Sequence, residues 1–410
     1  MGLTRRTLLA GSLAIPTFGR ATAPLAQDTG PTIKEVANAN GFRFGSAAGP
    51  WTFQPAMERL LQSECDLITP ENAMKMDHVY KELGPANFTD ADQIVRWAHS
   101  FDASVRAHAL IFAPEAIPRW LNDLANTDRL EALQQVLAYV RQVARRYRNQ
   151  VVSIDVVNEA LNKDANHEGL LKNNWLYRDN GFQLIRDAYA IAREEQPDAE
   201  LVYNDWVLPY DNTALDGQRE DMLLFLETCR ENDIQIDTVG IQSHLRHWQG
   251  RTFISANWTD FLHQIEGMGY KIAITELSAS DDWLSGVPES SCRNLADCER
   301  AVEDYAEDEP IDPDTARERI RVRDQEAGRA VAEYLAATLR ARSIRDIVCW
   351  GLSDAHWYLN HRDRFCRDGC ITADGAAQPC IRALPYDELF EMKPMARAIM
   401  TAMEQAPPRS

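Results

Sequence analysis

VVSIDVVNEAL, Val151 to Leu161, is a nearly unbroken β-branched run that holds one acid, Asp155, and closes on the polar pair Asn158-Glu159. Such a run suits a strand buried on both faces inside a parallel sheet. Asn158 and Glu159 then fall where the strand emerges, the end at which α/β barrels place their chemistry. A lone Asn-Glu is more often a cap or a surface ion pair. KIAITEL, Lys271 to Leu277, tips the balance, because Ile272 to Thr275 form a second short buried strand that delivers Glu276 at its C-terminal end. Two glutamates on separate parallel strands can face each other across a barrel mouth, as a retaining glycosidase requires. One carboxyl protonates the leaving oxygen while the other attacks the anomeric carbon.

Outward from these two strands, strand-like and helix-like runs alternate, which predicts a parallel sheet with crossover helices. The expected strands are Phe42–Ser46, Asp66–Thr69, Val105–Phe112, Val152–Val157, Leu201–Asn204, Thr238–Gln242, Ile272–Thr275 and Ile347–Trp350. Their number and a length of 410 residues fit one large (β/α)8 TIM barrel, α/β in class and a single domain. The clearest helical signal runs from Leu130 to Tyr147, where Leu130, Leu133, Leu137, Val140, Ala144 and Tyr147 recur on one face and Thr127 or Asp128 can cap the start. A further helix is expected over Arg317–Leu339. No linker or internal repeat interrupts the pattern, so no attached binding module is expected.

The N-terminus is different in kind. Thr4, Arg5 and Arg6 precede the apolar run Leu8–Ile15, and small residues follow from Ala21 to Ala26, the pattern of a twin-arginine export signal over residues 1–26. That leaves residues 27–410 as the catalytic barrel and points to a periplasmic or secreted protein. The apolar run is too short to span a membrane, and no later stretch is long enough. A net charge of −19 argues against nucleic acid or an anionic membrane as partner and says little about a neutral sugar polymer. Of the eight cysteines, Cys65, Cys229 and Cys349 lie in apolar or helical runs and read as buried free thiols. Cys292, Cys298, Cys366, Cys370 and Cys380 lie in two polar loops, and no metal-ligand spacing stands out. The acid-rich segment from Glu299 to Asp314 reads as a solvated loop insertion.

Other strand ends carry polar and aromatic residues: TPENAMK (Thr69–Lys75) after the second strand, Asn204-Asp205-Trp206 after the fifth, Gln242-Ser243-His244 after the sixth and WGLSD (Trp350–Asp354) after the eighth. Together they describe a polar cleft with aromatic walls, suited to a sugar chain whose hydroxyls need donors and acceptors and whose ring faces stack on indoles. TPENAMK, DVVNEA (Asp155–Ala160), IQSH (Ile241–His244), ITEL (Ile274–Leu277) and WGLSD stand in one order, and in this the chain resembles glycoside hydrolase family 10, the endo-1,4-β-xylanases. The resemblance implies a retaining double displacement on xylan or xylo-oligosaccharides, no cofactor and no metal. We expect a monomer.

By the same resemblance Glu159 looks like the general acid/base and Glu276 like the nucleophile. Asn158 is expected to bond the sugar 2-hydroxyl, and His244 to hold Glu276 with help from Gln242. Glu71, Asn72 and Lys75 are expected on the non-reducing side of the scissile bond, and Trp350 as a stacking platform. Trp120, Trp206 and the lid tryptophan Trp357 are further candidates for the substrate cleft. The roles require Glu159 to stay protonated near neutral pH, raised by an apolar wall and the neighbouring Glu276 charge, and Glu276 to stay ionised through hydrogen bonds from His244 and Asn158. The chain departs from the family pattern at Phe112-Ala113, where a Trp-His pair is usual, and at Ile154, Trp206 and Ser278, where Trp, Tyr and Asp are usual. A hydrogen bond to the substrate is then missing at Ala113, or Glu115 supplies it. Two rivals are a retaining β-glycanase of the same clan acting on another β-linked polysaccharide, and a barrel that binds sugar without cleaving it.

Overall fold

The computed structural model describes residues 30–163, 169–247, 250–280, 313–356 and 382–409, excepting the side chains of 313–317 and 319. The segment expected to be an export signal, Trp357, the five loop cysteines and nearly all of the acid-rich insertion lie outside the described residues. Eight parallel strands form the barrel: β1 Arg43–Ala48, β2 Leu67–Pro70, β3 Ser104–Ala107, β4 Ser153–Asn158, β5 Glu200–Asp205, β6 Thr238–Ile241, β7 Lys271–Ser280 and β8 Asp346–Cys349. Each pairs with the next in sequence, and β8 pairs with both β7 and β1, so the sheet closes and leaves no edge. Registers such as Phe44↔Ile347 and Ile154↔Leu201 hold the strands so that all chain exits lie at one rim.

Helices return the chain between strands, among them Pro55–Glu64, Thr89–His99, Arg129–Arg146, Gly181–Glu195, Thr213–Glu231, Trp258–Gly267 and Pro313–Thr338, and Pro394–Gln405 follows β8. The helix expected over Leu130–Tyr147 is Arg129–Arg146, with the Asp128 carboxylate accepting the Glu131 N–H at 3.0 Å as its cap. Its buried face is rotated from the expected one. Ala132, Val136, Tyr139, Val140, Val143 and Ala144 are inside, while Leu130 is 68% exposed. Leu133 and Leu137 are only partly buried against the core. Cys65, Cys229 and Cys349 are buried free thiols, as expected.

The expected third strand breaks in two. After β3, residues 108–110 leave the ladder, and Ile111–Phe112 then pair with Val157–Asn158. His244–Arg246 likewise extends the sheet beside Ser278–Ser280. The barrel interior is polar at its waist. Arg106 on β3 and Asp155 on β4 form an ion pair that is almost completely buried. Gly240 on β6 makes room for it, since a Cβ there would lie 2.4 Å from Asn204 Oδ1 and 3.2 Å from Arg106 Nη2. No helix among the described residues is long and apolar enough to cross a membrane.

Candidate active site

β4 and β7 deliver the two glutamates to the same rim. Asn158 is the last residue of β4, and Glu159 follows with φ +54°, a left-handed turn that costs a non-glycine residue roughly 1 to 3 kcal/mol. Its N–H donates to the Asn204 carbonyl at 2.8 Å, so the turn keeps its ladder bond while aiming the side chain into the mouth. Glu276 lies within β7, and its N–H donates to the Gln242 carbonyl at 2.9 Å.

The Glu276 carboxylate is surrounded by donors. Asn204 Nδ2 donates to Oε1 at 2.8 Å, and His244 Nε2 donates to Oε2 at 3.0 Å. Burial alone would raise its pKa; the His244 hydrogen bond, the positive potential of His108 and His244, and the Asn204 amide outweigh it and bring the group down to about 2. Asn204 is itself locked, because Thr275 donates its hydroxyl to Oδ1 at 2.7 Å and Nδ2 also donates to Asn158 Oδ1 at 2.8 Å. An ionised Glu276 only accepts, which fixes the orientation of the amide. The donor on Glu276 is thus Asn204, where Asn158 was expected. Asn158 sits one strand further round and reaches Glu276 only through Asn204.

Glu159 has a different environment. Gln242 Nε2 donates to its Oε1 at 2.8 Å, with Asn158 Nδ2 at 3.4 Å, and Lys172 Nζ stands 3.8 Å from Oε2. Burial is the chief cause raising its pKa, followed by the Asp205 charge; Gln242 and Lys172 oppose, and Glu276 adds a smaller push. The Gln242 side chain was expected to help hold Glu276. It extends across the mouth to Glu159 instead, and only its backbone carbonyl serves Glu276.

The aromatic walls divide. Trp350, 8% exposed, stands edge-on to His108 at 5.1 Å and to His244 at 6.4 Å, beside the Glu276 network. Glu71 accepts from Trp51 Nε1 at 3.1 Å, and Trp51 stacks on His356 at 5.5 Å. Lys75 donates to Asn72 Oδ1 at 2.9 Å and lies over the Phe112 ring. Trp206 lies under the Lys163 ammonium at 3.7 Å, and Lys163 also binds Asp205. Trp120 is not joined to this network: its indole N–H donates to the Tyr80 carbonyl at 2.9 Å and its ring packs on the core.

Sequence reasoning missed Asn204 as a Glu276 donor, and it missed Trp51, Lys172 and His108. His108 Nδ1 is 2.8 Å from Asp155 Oδ2, which orients the ring beneath Trp350. At the departures, Ile154 and Ala113 are fully buried in the core, Ser278 Oγ lies 3.0 Å from His244 Nδ1, and Glu115 is paired with Lys172 at 2.7 Å.

The profile of glycosyl hydrolase family 10 matches residues 32–402. The chain belongs to that family. Among family 10 relatives, endo-1,4-beta-xylanase 3 of Hypocrea jecorina is 30% identical over 229 residues, which cover 56% of this chain and 60% of that protein. Endo-1,4-beta-xylanase A of Halalkalibacterium halodurans is 26% identical over 369 residues, 86% of this chain and 82% of that one. Xylanase 10B of Thermotoga maritima superposes with TM-score 0.69 at 23% identity, covering 91% of this chain and 98% of that chain. Xylanase 10B of Thermotoga petrophila, solved in complex with xylobiose, superposes with TM-score 0.68 at 21% identity, covering 92% and 98%. The family 10 barrel is the shared scaffold, with Glu159 just after its β4 and Glu276 within its β7.

Proposed function

We propose that this family 10 chain is a retaining endo-1,4-β-xylanase, with Glu276 as nucleophile and Glu159 as general acid/base. The observation that supports this reading most is the opposite environment of two linked carboxyl groups at one rim. Glu276 is lowered to about 2 among its donors, while burial and the Asp205 charge raise the pKa of Glu159. The first displacement begins with Glu276 attacking the anomeric carbon as Glu159 passes its proton to the glycosidic oxygen. Having given its proton to the leaving sugar, Glu159 is a carboxylate; the glycosyl ester has removed the Glu276 charge, which lowers the Glu159 pKa and keeps it ionised to take a proton from water as that water attacks the anomeric carbon and Glu276 leaves. The xylanase relatives, one of them solved with xylobiose, and a structurally similar mutant protein solved with xylotriose support a pentose polymer as substrate.

In this reading Asn158 meets the sugar 2-hydroxyl, Glu71, Asn72 and Lys75 bind the non-reducing side, and Trp350 stacks on a ring. The Arg5-Arg6 pair and apolar run of the N-terminus support export to the periplasm or beyond. The test is to incubate the protein with xylan, mixed-linkage glucan, cellulose and mannan and to size the products. Short xylo-oligosaccharides from xylan alone are expected. Faster release of glucose or mannose oligomers would refute the substrate assignment, and no cleavage of any polymer would favour a binding barrel.

A further inference from the structure

We infer that Lys172, clamped by Glu115, is a positioning residue for the transferable proton of Glu159: with Gln242 occupying one carboxyl oxygen, the pair faces the other and sets the pH at which the proton is lost. The inference rests on the acid/base reading of Glu159 given above. Lys172 is held by its backbone as well as by its charge. Leu161 and Leu171 form an antiparallel bridge, and the Lys172 N–H donates to the Ala160 carbonyl at 2.9 Å, which folds the segment back on the residue after Glu159. The ammonium then lies 2.7 Å from Glu115 Oε1, 3.8 Å from Glu159 Oε2 and 5.6 Å from the centre of the Phe112 ring.

The two oxygens of Glu159 are therefore unequal. Oε1 accepts from Gln242 at 2.8 Å and has Asn158 Nδ2 at 3.4 Å, so it has no need of a proton of its own. The proton belongs on Oε2, the oxygen facing Lys172. An ammonium donates and does not accept, so it cannot take that proton and leaves it free for the glycosidic oxygen. Once the proton has gone, the same ammonium stabilises the carboxylate that must activate water.

Several charges face this carboxyl group. Asp205 from β5 and Glu276 from β7 favour the proton, while Lys172 opposes it. Lys163, from the loop that follows Glu159, is buried against Asp205 and tempers its charge. The Tyr177 hydroxyl is neutral here. Glu115, from the segment after Phe112, offsets Lys172, and Lys75 sits over the same Phe112 ring at 5.4 Å. Because Lys172 and Glu115 act with opposite sign, neutralising either moves the proton in opposite directions.

The test uses unsubstituted xylo-oligosaccharides, whose poor leaving group needs protonation, and follows the basic limb of kcat/KM. Lys172→Met is expected to move that limb up by about one pH unit, a shift at the low end for an opposite charge at this distance because the pair is partly solvated. Glu115→Gln is expected to move it down by a smaller amount, the double variant to return near the parent, and Lys172→Arg to keep the parent limb. Loss of activity at every pH with the limb unmoved, or movement of both single variants in one direction, would overturn the inference and leave only a structural ion pair. Glu159→Gln separates the two readings. If it abolishes the limb while Lys172→Met leaves it in place, only the role of Lys172 fails; if it leaves the limb intact, the acid/base assignment fails first.

Discussion

Asn204→Ala is the sharpest probe of how this site keeps its nucleophile ionised. The Asn204 amide is completely buried and makes three hydrogen bonds, to Glu276 Oε1, Asn158 Oδ1 and the Thr275 hydroxyl. Removing it leaves Glu276 with His244 as its remaining side-chain donor in the network described above. A hydrogen bond to a charged acceptor is worth about 1.5 to 3 kcal/mol, or about 1 to 2 pH units on a carboxyl group. Glu276 would rise from about 2 to roughly 3 or 4.

The sign follows from linkage. A carboxylate whose folded pKa lies below its unfolded value contributes stability that is present above the unfolded value, near 4.3, and is lost as pH falls through the folded one. The variant should therefore be less stable than the parent by about 1.5 to 3 kcal/mol at pH 7, beyond a pH-independent cavity cost, and the gap should narrow toward pH 2. In catalysis, the acid limb of kcat/KM for an activated aryl xyloside should appear about 1 to 2 pH units higher than in the parent. Thr275→Val, which only unlocks the amide, should move it the same way by less. Urea unfolding at pH 7 and pH 3 together with the pH profile would check both. An unmoved acid limb and a pH-independent stability gap would refute the view that Asn204 holds the charge on Glu276.

Glu276→Ala should abolish turnover of an aryl xyloside, and substantial surviving activity would reject it as nucleophile. Glu159→Ala should harm substrates with poor leaving groups far more than activated ones; equal losses in a leaving-group series would count against it. Gly240→Ala would place a methyl group 2.4 Å from Asn204 Oδ1 and 3.0 Å from Thr275 Cγ2. It should cost about 1 to 3 kcal/mol in a denaturant titration and raise the acid limb as Asn204→Ala does. Asp354→Ala should cost about 1 to 3 kcal/mol by the same titration, because the buried Lys393 ammonium keeps Asp324 at 3.0 Å but loses Asp354 at 2.7 Å, and the buried Leu384 N–H loses its acceptor.

The barrel was legible because buried parallel strands are written as short apolar runs, and each of the expected strands overlaps an observed one. The interruption after β3 was not, because His108-Ala109-Leu110 continues the same apolar composition while the backbone leaves the ladder. Glu159 and Glu276 stood out as acids at the ends of apolar runs. Asn204 was visible as a strand-end residue, but nothing in its neighbours says which of two carboxylates its amide will face. That choice is made by the Thr275 hydroxyl, 71 residues away in sequence. Lys172 was hidden for a similar reason: its partners Glu115 and Glu159 lie on different strand ends. At Ala113, where a missing hydrogen bond was expected, the side chain is buried in the core, and the neighbouring Phe112 ring lies beneath Lys75 and Lys172.

Burial by itself does not separate the roles of the two glutamates. The Glu276 side chain is the less exposed, 6% against 16% for Glu159, and desolvation acting alone would make it the better proton holder. The order is reversed because Glu276 has a donor on each oxygen and two imidazoles nearby, whereas Glu159 has one short donor, on Oε1, and a carboxylate neighbour in Asp205. The division of labour thus depends on Asn204 and His244 at one group and on Asp205, Gln242 and Lys172 at the other. Exchanging donors between the groups, rather than changing their depth, is what would exchange their protonation states.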